Sequence, residues 1–217
     1  MECATVRVVI DNPSSVIQTM LTIALFGTSA DPPTIGHLEI LRSLSPQFDE
    51  IAVWAADNPF KADQTPLEHR TQMLRLLIQD LHCPKHNVWV YPELSHARTV
   101  VTVERAKQRW QGAEFTLIVG FDVARQLPKW FHVEELLQHV NVLIVPRSGY
   151  SLDAADVERL RQMGATVAIA EIAVPEVSST AYRTQEDLTG VTHAIQAYID
   201  REQLYGCDVP IKKQPVH

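Results

Sequence analysis

A short loop rich in small residues joins a strand-like segment to a helix-like segment near the start of the chain, and it constrains the fold more than any other feature. The loop, residues 27–37, follows the apolar run 21–26, which has the length and composition of a strand. After it, Leu38, Leu41 and Leu44 recur at helical spacing. The N–H groups at a helix start lack partners within the helix, and the helix dipole favours an anion there. The pattern predicts an α/β sheet with a phosphate site after its first strand.

Two common phosphate loops are excluded by inspection. The sequence contains no G-x-x-x-x-G-K-[ST], which excludes a P-loop NTPase, and no G-x-G-x-x-G, which argues against the usual dinucleotide-binding loop. The loop offers instead Gly36, which lets a ligand approach the backbone closely. It also offers His37, which falls in the first turn of the predicted helix.

The composition predicts one soluble α/β domain. The chain has 217 residues, of which 46% are apolar and 21% charged. Its net charge of -7 argues against nucleic acid or an anionic membrane as a partner, so a polyphosphate ligand needs a few local donors. The three cysteines are scattered without metal-ligand spacing, which indicates reduced thiols and a cytoplasmic protein.

Strand and helix patterns alternate along the chain, which favours parallel βαβ units. Further strands are predicted at residues 50–56, 88–91, 115–120, 141–146 and 166–172. Residues 65–68 have the form of a capping box with Pro66 at the first helical position. We expect residues 1–19 to be a loose N-terminal extension, residues 20–207 to form a single domain, and residues 208–217 to be a frayed tail.

A second candidate phosphate segment follows the last predicted strand. Ser178, Ser179 and Thr180 are three consecutive hydroxyl residues at a predicted helix start, where side-chain oxygens and backbone N–H groups meet. Arg183 lies one turn later and can face the same anion as a bidentate partner. Taken alone, this pattern is also that of an ordinary N-cap followed by a surface arginine.

The first loop has the form G-[ST]-x-x-D-P-x-[TH]-x-G-H, and together with the later S-S-T-x-x-R it resembles the signature of the nucleotidylyltransferase superfamily. The resemblance implies a Rossmann-like, doubly wound parallel sheet with the site at the carboxyl ends of its strands. It implies that His37, Thr34 and Arg183 are the catalytic residues, of which His37 and Thr34 contact the ATP phosphates. Arg183 and the three hydroxyl residues would grip the outgoing pyrophosphate. Gly27, Thr28 and Gly36 would also bind ATP.

The middle of the chain resembles the nicotinate mononucleotide adenylyltransferases in particular. There the family has a G-x-D after a strand, as at Gly120 and Asp122, and a tryptophan shortly afterwards, as at Trp130. The resemblance implies that Gly120 and Asp122 hold the ATP adenosine and that Trp130 stacks on the pyridine ring. Thr99 and Arg147 are the other implied mononucleotide-binding residues, and Lys61 is implied to screen the triphosphate. A core or lid aromatic and solvated basic residues are the plain alternatives.

The reaction implied is ATP plus nicotinate mononucleotide giving deamido-NAD and pyrophosphate, in NAD biosynthesis. Mg²⁺ would be carried by the ATP phosphates, with no protein metal site. The implied partners are these small molecules, and a homo-oligomer is compatible with the sequence. Ala30, Phe60 and Arg98 depart from the family pattern, as does Thr34 from its nicotinate members. The alternatives are a pantetheine-phosphate or other mononucleotide adenylyltransferase, which Thr34 favours, and a non-catalytic nucleotide sensor.

Overall fold

A six-stranded, wholly parallel sheet forms the centre of the protein. The computed structural model describes residues 20–206 apart from 59, 60, 62 and 147–152. The strands are β1 (Thr22–Thr28), β2 (Glu50–Ala55), β3 (Val88–Val90), β4 (Glu114–Gly120), β5 (Asn141–Val145) and β6 (Val167–Ile169). They lie in the order β3-β2-β1-β4-β5-β6. This confirms the predicted doubly wound, Rossmann-like sheet.

Helices alternate with the strands and cover both faces of the sheet. They are α1 (Ile35–Leu44), α2 (Leu67–Gln79), α3 (Thr99–Arg109), α4 (Phe121–Ala124), α5 (Val133–His139), α6 (Ala154–Gln162), α7 (Ser179–Arg183) and α8 (His193–Glu202). Short 3-10 turns occupy Ser45–Gln47, Pro92–Leu94, Leu127–Lys129 and Leu204–Gly206.

The strand β1 is apolar on both faces because helices cover both of them. Ile23 and Leu25 belong to one buried cluster with residues of α3 and α5. Ala24 and Phe26 alternate with them and belong to a second buried cluster with α1, α2 and α8. Both faces of a parallel sheet are normally buried in this way, so its central strands have continuous apolar runs.

Two local predictions were wrong. The helix predicted to start with a capping box at Thr65 begins instead at Leu67, with Pro66 at the N-cap and without a side-chain cap. The hydroxyl of Thr65 is hydrogen-bonded to the phenol of Tyr205, and the carbonyl of Thr65 accepts from the side chain of Arg70. Neither group therefore caps the helix. The last strand is also shorter than predicted, since only Val167–Ile169 pair with β5.

The chain crosses from one half of the sheet to the other between β3 and β4, so β1 and β4 are neighbours at the centre. In doubly wound folds, ligands bind in the crevice outside the carboxyl ends of the strands at this switch point. The loop after β1 carries His37 and Thr34, and the segment after β4 carries Asp122 and Trp130. Among the described residues, no helix has the length and apolar character needed to span a membrane.

Candidate active site

The loop between β1 and α1 folds against the protein along most of its length. Residues 30–34 are buried, and Thr34 is the N-cap of α1 with an extended backbone conformation. His37 is the third residue of the helix and is half-buried. The loop thus joins strand and helix as the sequence predicted, with the imidazole in the first turn.

Both ring nitrogens of His37 are hydrogen-bonded within this loop. Nδ1 accepts from the backbone N–H of Thr34 at 3.0 Å and lies 2.9 Å from Thr34 Oγ1. Nε2 lies 2.8 Å from Thr28 Oγ1. A backbone N–H can only donate, so Nδ1 is the acceptor and the neutral ring carries its proton on Nε2. The imidazole therefore presents an N–H donor beside Thr28, at the carboxyl end of β1.

The two loop glycines allow close packing of protein against protein. A Cβ at Gly27 would lie 2.5 Å from the indole of Trp54, its partner on β2. A Cβ at Gly36 would lie 3.3 Å from Val177 and 3.4 Å from Val174, which lead into the second motif. Gly36 therefore also allows the segment with Val174 and Val177 to pack closely against the start of α1.

The second motif begins α7 and docks on the first loop. Ser178 is the N-cap, and its Oγ accepts from the N–H of Ala181 at 3.0 Å. Ser179 donates to the carbonyl of Pro32 at 2.7 Å. Arg183 donates to the carbonyl of Asp31, and its Nη2 lies 3.5 Å from Thr180 Oγ1. The structure thus brings both motifs together, with Thr180 and Arg183 exposed to solvent at their junction.

Two further cations hold the same loop. Lys61 donates to Ser29 Oγ at 2.8 Å. Arg70 of α2 is 3% exposed and donates to the carbonyl of Ser29 at 3.0 Å. Together with Arg183 they place three positive charges around a loop of a chain whose net charge is -7. The loop itself carries the carboxylate of Asp31, and the three cations exceed it, so the local field favours a polyanion.

The second group of candidates lies after β4 and at the start of α3. Gly120 ends β4 and is the N-cap of α4, in which Asp122 occupies the first turn. Thr99 is the first residue of α3. Trp130 is half-buried against the core cluster after the turn Leu127–Lys129.

Arg98 connects the two segments that carry Thr99 and Trp130. Its guanidinium lies 4.1 Å from the ring centroid of Phe131, in a cation–π contact. This contact gives Arg98, one of the predicted departures from the family pattern, a structural role. Arg147, the remaining predicted mononucleotide ligand, lies outside the described residues, as does Phe60.

Arg70 and Tyr205 were missed by the sequence reasoning. Tyr205 donates to the carboxylate of Asp31, a 3% exposed residue, at 2.7 Å. Burial raises the pKa of Tyr205. A signal for Arg70 was present, since it precedes Met73 and Leu74 by three and four positions on the apolar face of α2. A cation on such a face needs polar partners that only the folded chain supplies.

The described residues contain no group of three His, Cys, Asp or Glu side chains that could hold a metal ion. The donors around the first loop are hydroxyls, backbone N–H groups and cations, which suit phosphate oxygens rather than a cation.

Comparison with known proteins shows the family of the chain. The profile of the cytidylyltransferase-like family matches residues 25–185. The chain is 41% identical over 199 residues to a Synechocystis protein described as "Probable nicotinate-nucleotide adenylyltransferase", covering 85% of this chain and 99% of that protein. It is 32% identical over 139 residues to the nicotinate-nucleotide adenylyltransferase of Bacillus subtilis, covering 62% of this chain and 74% of the relative.

Among solved structures, the chain is similar to Plasmodium falciparum nicotinic acid mononucleotide adenylyltransferase complexed with NaAD. The TM-score is 0.72 at 18% sequence identity, and the match covers 86% of this chain and 98% of that one. At this identity the likeness concerns the fold.

Proposed function

The chain belongs to the cytidylyltransferase-like family and, within it, to the nicotinate-nucleotide adenylyltransferases, and on that premise we propose that it transfers the adenylyl group of ATP to nicotinate mononucleotide. The products are deamido-NAD and pyrophosphate. This reaction belongs to NAD biosynthesis.

In this reaction an oxygen of the mononucleotide phosphate attacks the α-phosphorus of ATP. A new P–O bond forms as the bond between the α-phosphorus and the bridging oxygen breaks, and pyrophosphate leaves with that electron pair. No protein nucleophile is needed. Catalysis consists of aligning two phosphates and stabilising the charge that moves onto the leaving group.

On the ATP side, we propose that the first loop contacts the ATP phosphates. The second motif would bind the leaving pyrophosphate. His37 would donate from Nε2, since Nδ1 is occupied by the N–H of Thr34. Thr28 and Thr34 flank this imidazole. Thr180 and Arg183, which are exposed at the junction, would bind the pyrophosphate. Lys61, which donates to Ser29 Oγ in the first loop, would screen the triphosphate.

On the acceptor side we assign the pyridine ring to Trp130 and its carboxylate to the start of α3 at Thr99. Half-burial leaves Trp130 with both a fixed position and an accessible surface, which suits stacking. Gly120 and Asp122, at the end of β4, would contact the adenosine. Arg147 remains a proposed phosphate ligand on the resemblance alone.

One observation supports this proposal above the others, and it is the docking of the second motif on the first. Ser179 and Arg183 bond the carbonyls of Pro32 and Asp31, so the two segments proposed to hold one triphosphate adjoin each other. A shared ligand requires such proximity.

Magnesium would enter with ATP, bound to phosphate oxygens, and would neutralise part of the charge on them. We expect the reaction to take place in the cytoplasm, since the three scattered cysteines indicate reduced thiols.

The test is pyrophosphate release from MgATP with three acceptors: nicotinate mononucleotide, nicotinamide mononucleotide and 4′-phosphopantetheine. We expect the highest kcat/KM with the first, and deamido-NAD as the product identified by mass spectrometry. A higher kcat/KM with 4′-phosphopantetheine would show that this compound, and not nicotinate mononucleotide, is the acceptor. ATP binding without turnover of any acceptor would identify a nucleotide sensor and refute the proposed activity.

A further inference from the structure

Arg70 is a buried cation to which the proposed reaction gives no role. It is 3% exposed and lies on the face of α2 that also buries Met73, Leu74 and Leu77. Within the part of the chain that the structure describes, no carboxylate lies within salt-bridge distance of its guanidinium. Burial lowers the pKa of Arg70, opposed by the more distant charges of Asp31 and Asp57. A buried charge without an ion pair must be held by other polar groups.

The polar groups that hold Arg70 are backbone carbonyls from three separate segments. Its Nε donates to Thr65 at 2.7 Å, and its Nη1 donates to Ser29 at 3.0 Å and to Ala56 at 2.8 Å. Ser29 follows β1, Ala56 follows β2, and Thr65 precedes α2. One planar guanidinium therefore joins the ends of two neighbouring strands.

The contacts continue from these carbonyls to the imidazole of the first loop. The N–H of Ala56 donates to the carbonyl of Thr28 at 2.7 Å. Thr28 Oγ1 in turn lies 2.8 Å from Nε2 of His37. Arg70 thus fixes both Ser29 and the segment that holds Thr28, and Thr28 faces the donor nitrogen of His37.

We propose that Arg70 is a positioning residue for the triphosphate site. By holding the carbonyls of Ser29 and Ala56, it fixes the placement of Thr28 against His37. The proposal rests on the proposed function for the identity of the ligand. Arg70 itself touches no substrate. Its fork of donors matters as well as its charge, because a lysine ammonium cannot bridge three carbonyls in the same plane.

The experiment compares Arg70→Lys with the parent chain and with Arg75→Lys. Arg75 is exposed on the same helix and its nearest polar partner is Gln72, at 3.4 Å, so it is the matched control. We expect Arg70→Lys to lower kcat about tenfold or more, since small misplacements of catalytic groups have effects of this size. The KM for the mononucleotide should stay near the parent value. The control should match the parent in both constants.

A double-mutant cycle with His37→Asn separates positioning from general destabilisation. If Arg70 acts through Thr28 and His37, Arg70→Lys should cause little further loss of kcat in the His37→Asn background. Fold losses that multiply would show a purely structural role and overturn the proposal. Parent-like kcat in a folded Arg70→Lys variant would overturn it as well.

Two additions keep the test decisive. Should Arg70→Lys fail to fold by circular dichroism, Arg70→Gln, which removes the buried charge and keeps an amide donor, is read by the same cycle. The affinity for MgATP is also measured by calorimetry, and we expect it to fall in both Arg70 variants. A parent that binds MgATP but makes no deamido-NAD refutes the proposed function. The MgATP affinities of the Arg70 variants then still test whether Arg70 positions the site. A parent that does not bind MgATP overturns both.

Discussion

Arg183 donates a hydrogen bond to the backbone carbonyl of Asp31, which precedes it by 152 positions in the chain. The contact fixes the guanidinium at the edge of the first loop, where Nη2 also approaches Thr180 Oγ1 at 3.5 Å. Asp31 accepts a second hydrogen bond, at its carboxylate, from the phenol of Tyr205. The loop is therefore held by two segments from the last quarter of the chain, and its conformation depends on the completed fold.

Arg183→Lys should raise the KM for ATP and lower kcat, together reducing kcat/KM by about ten- to a hundredfold. Lysine keeps the charge but loses the fork that can bond Asp31 and two phosphate oxygens together. Steady-state kinetics with ATP varied at saturating mononucleotide measures the effect. Arg201→Lys, on the exposed end of α8, is the control. Unchanged kcat/KM in Arg183→Lys and in Arg183→Ala would make Arg183 a surface residue.

His37→Asn should lower kcat about a hundredfold with little change in stability. The asparagine oxygen can still accept from the N–H of Thr34, whereas nothing replaces the donor at Nε2, and loss of one transition-state donor has effects of this size. Single-turnover rates and thermal unfolding report the two properties separately. His82→Asn, at an exposed histidine bonded to its own turn, should match the parent. Parent-like turnover would rule out phosphate contact by His37.

The sequence predicted the sheet class and the first loop because both depend on local patterns. The apolar run 21–26 has the length and composition of a strand, and the helical period after it locates His37 in the first turn. The pattern after β4 likewise placed Gly120 at a strand end. Each of these elements depends only on residues that are close to one another in the chain.

The remaining contacts join residues that are far apart and could not be read from local patterns. Thr65 looked like an N-cap, yet its hydroxyl serves Tyr205, which lies 140 positions later. Arg70 lies on the apolar face of α2, but its acceptors are carbonyls whose direction depends on strand pairing, which the local pattern does not contain. Hydrogen bonds to residues that are distant in the chain outweigh the weak local preference for an N-cap.

Trp130→Ala should weaken mononucleotide binding by about 1–3 kcal/mol, the range for stacking of an aromatic base on an aromatic side chain. The KM for ATP should change little, because Trp130 is proposed to contact the pyridine ring of the mononucleotide and not ATP. Titration with nicotinate mononucleotide measures the affinity. Trp89→Ala is the control, since Trp89 is 55% exposed on the edge strand β3. Equal affinity in Trp130→Ala and the parent would make Trp130 a core residue only.

Gly27→Ala should destabilise the protein by about 1–3 kcal/mol, the usual effect of overpacking a core. The added Cβ would meet the indole of Trp54 at 2.5 Å, and that ring is buried in the cluster with Leu25. Chemical denaturation measures the free energy of unfolding. Gly190→Ala is the control, because a Cβ there meets Val177 at an ordinary 3.4 Å. A smaller effect of Gly27→Ala in a Trp54→Leu background would identify the indole as the cause, and equal effects would contradict it.

The stability of the protein should fall as the pH rises from about 10 to about 12, in part because of Tyr91. Burial, followed by the hydrogen bond to Glu50 and its charge, raises the pKa of Tyr91 to about 12, against about 10 in an unfolded chain. Between these values the folded state retains a proton that the unfolded state has lost, so the stabilisation is complete below pH 10 and lost as the pH passes the folded pKa.

Tyr91→Phe should therefore show a shallower decline of unfolding free energy across this window than the parent. Part of the decline should remain, because the pKa of Tyr205 is also raised by burial and the same sign applies to it. Denaturant unfolding at a series of alkaline pH values measures the slope, and tyrosinate absorbance of the folded protein gives the titration directly. Slopes that coincide in parent and Tyr91→Phe would show that the phenol of Tyr91 titrates alike in both states.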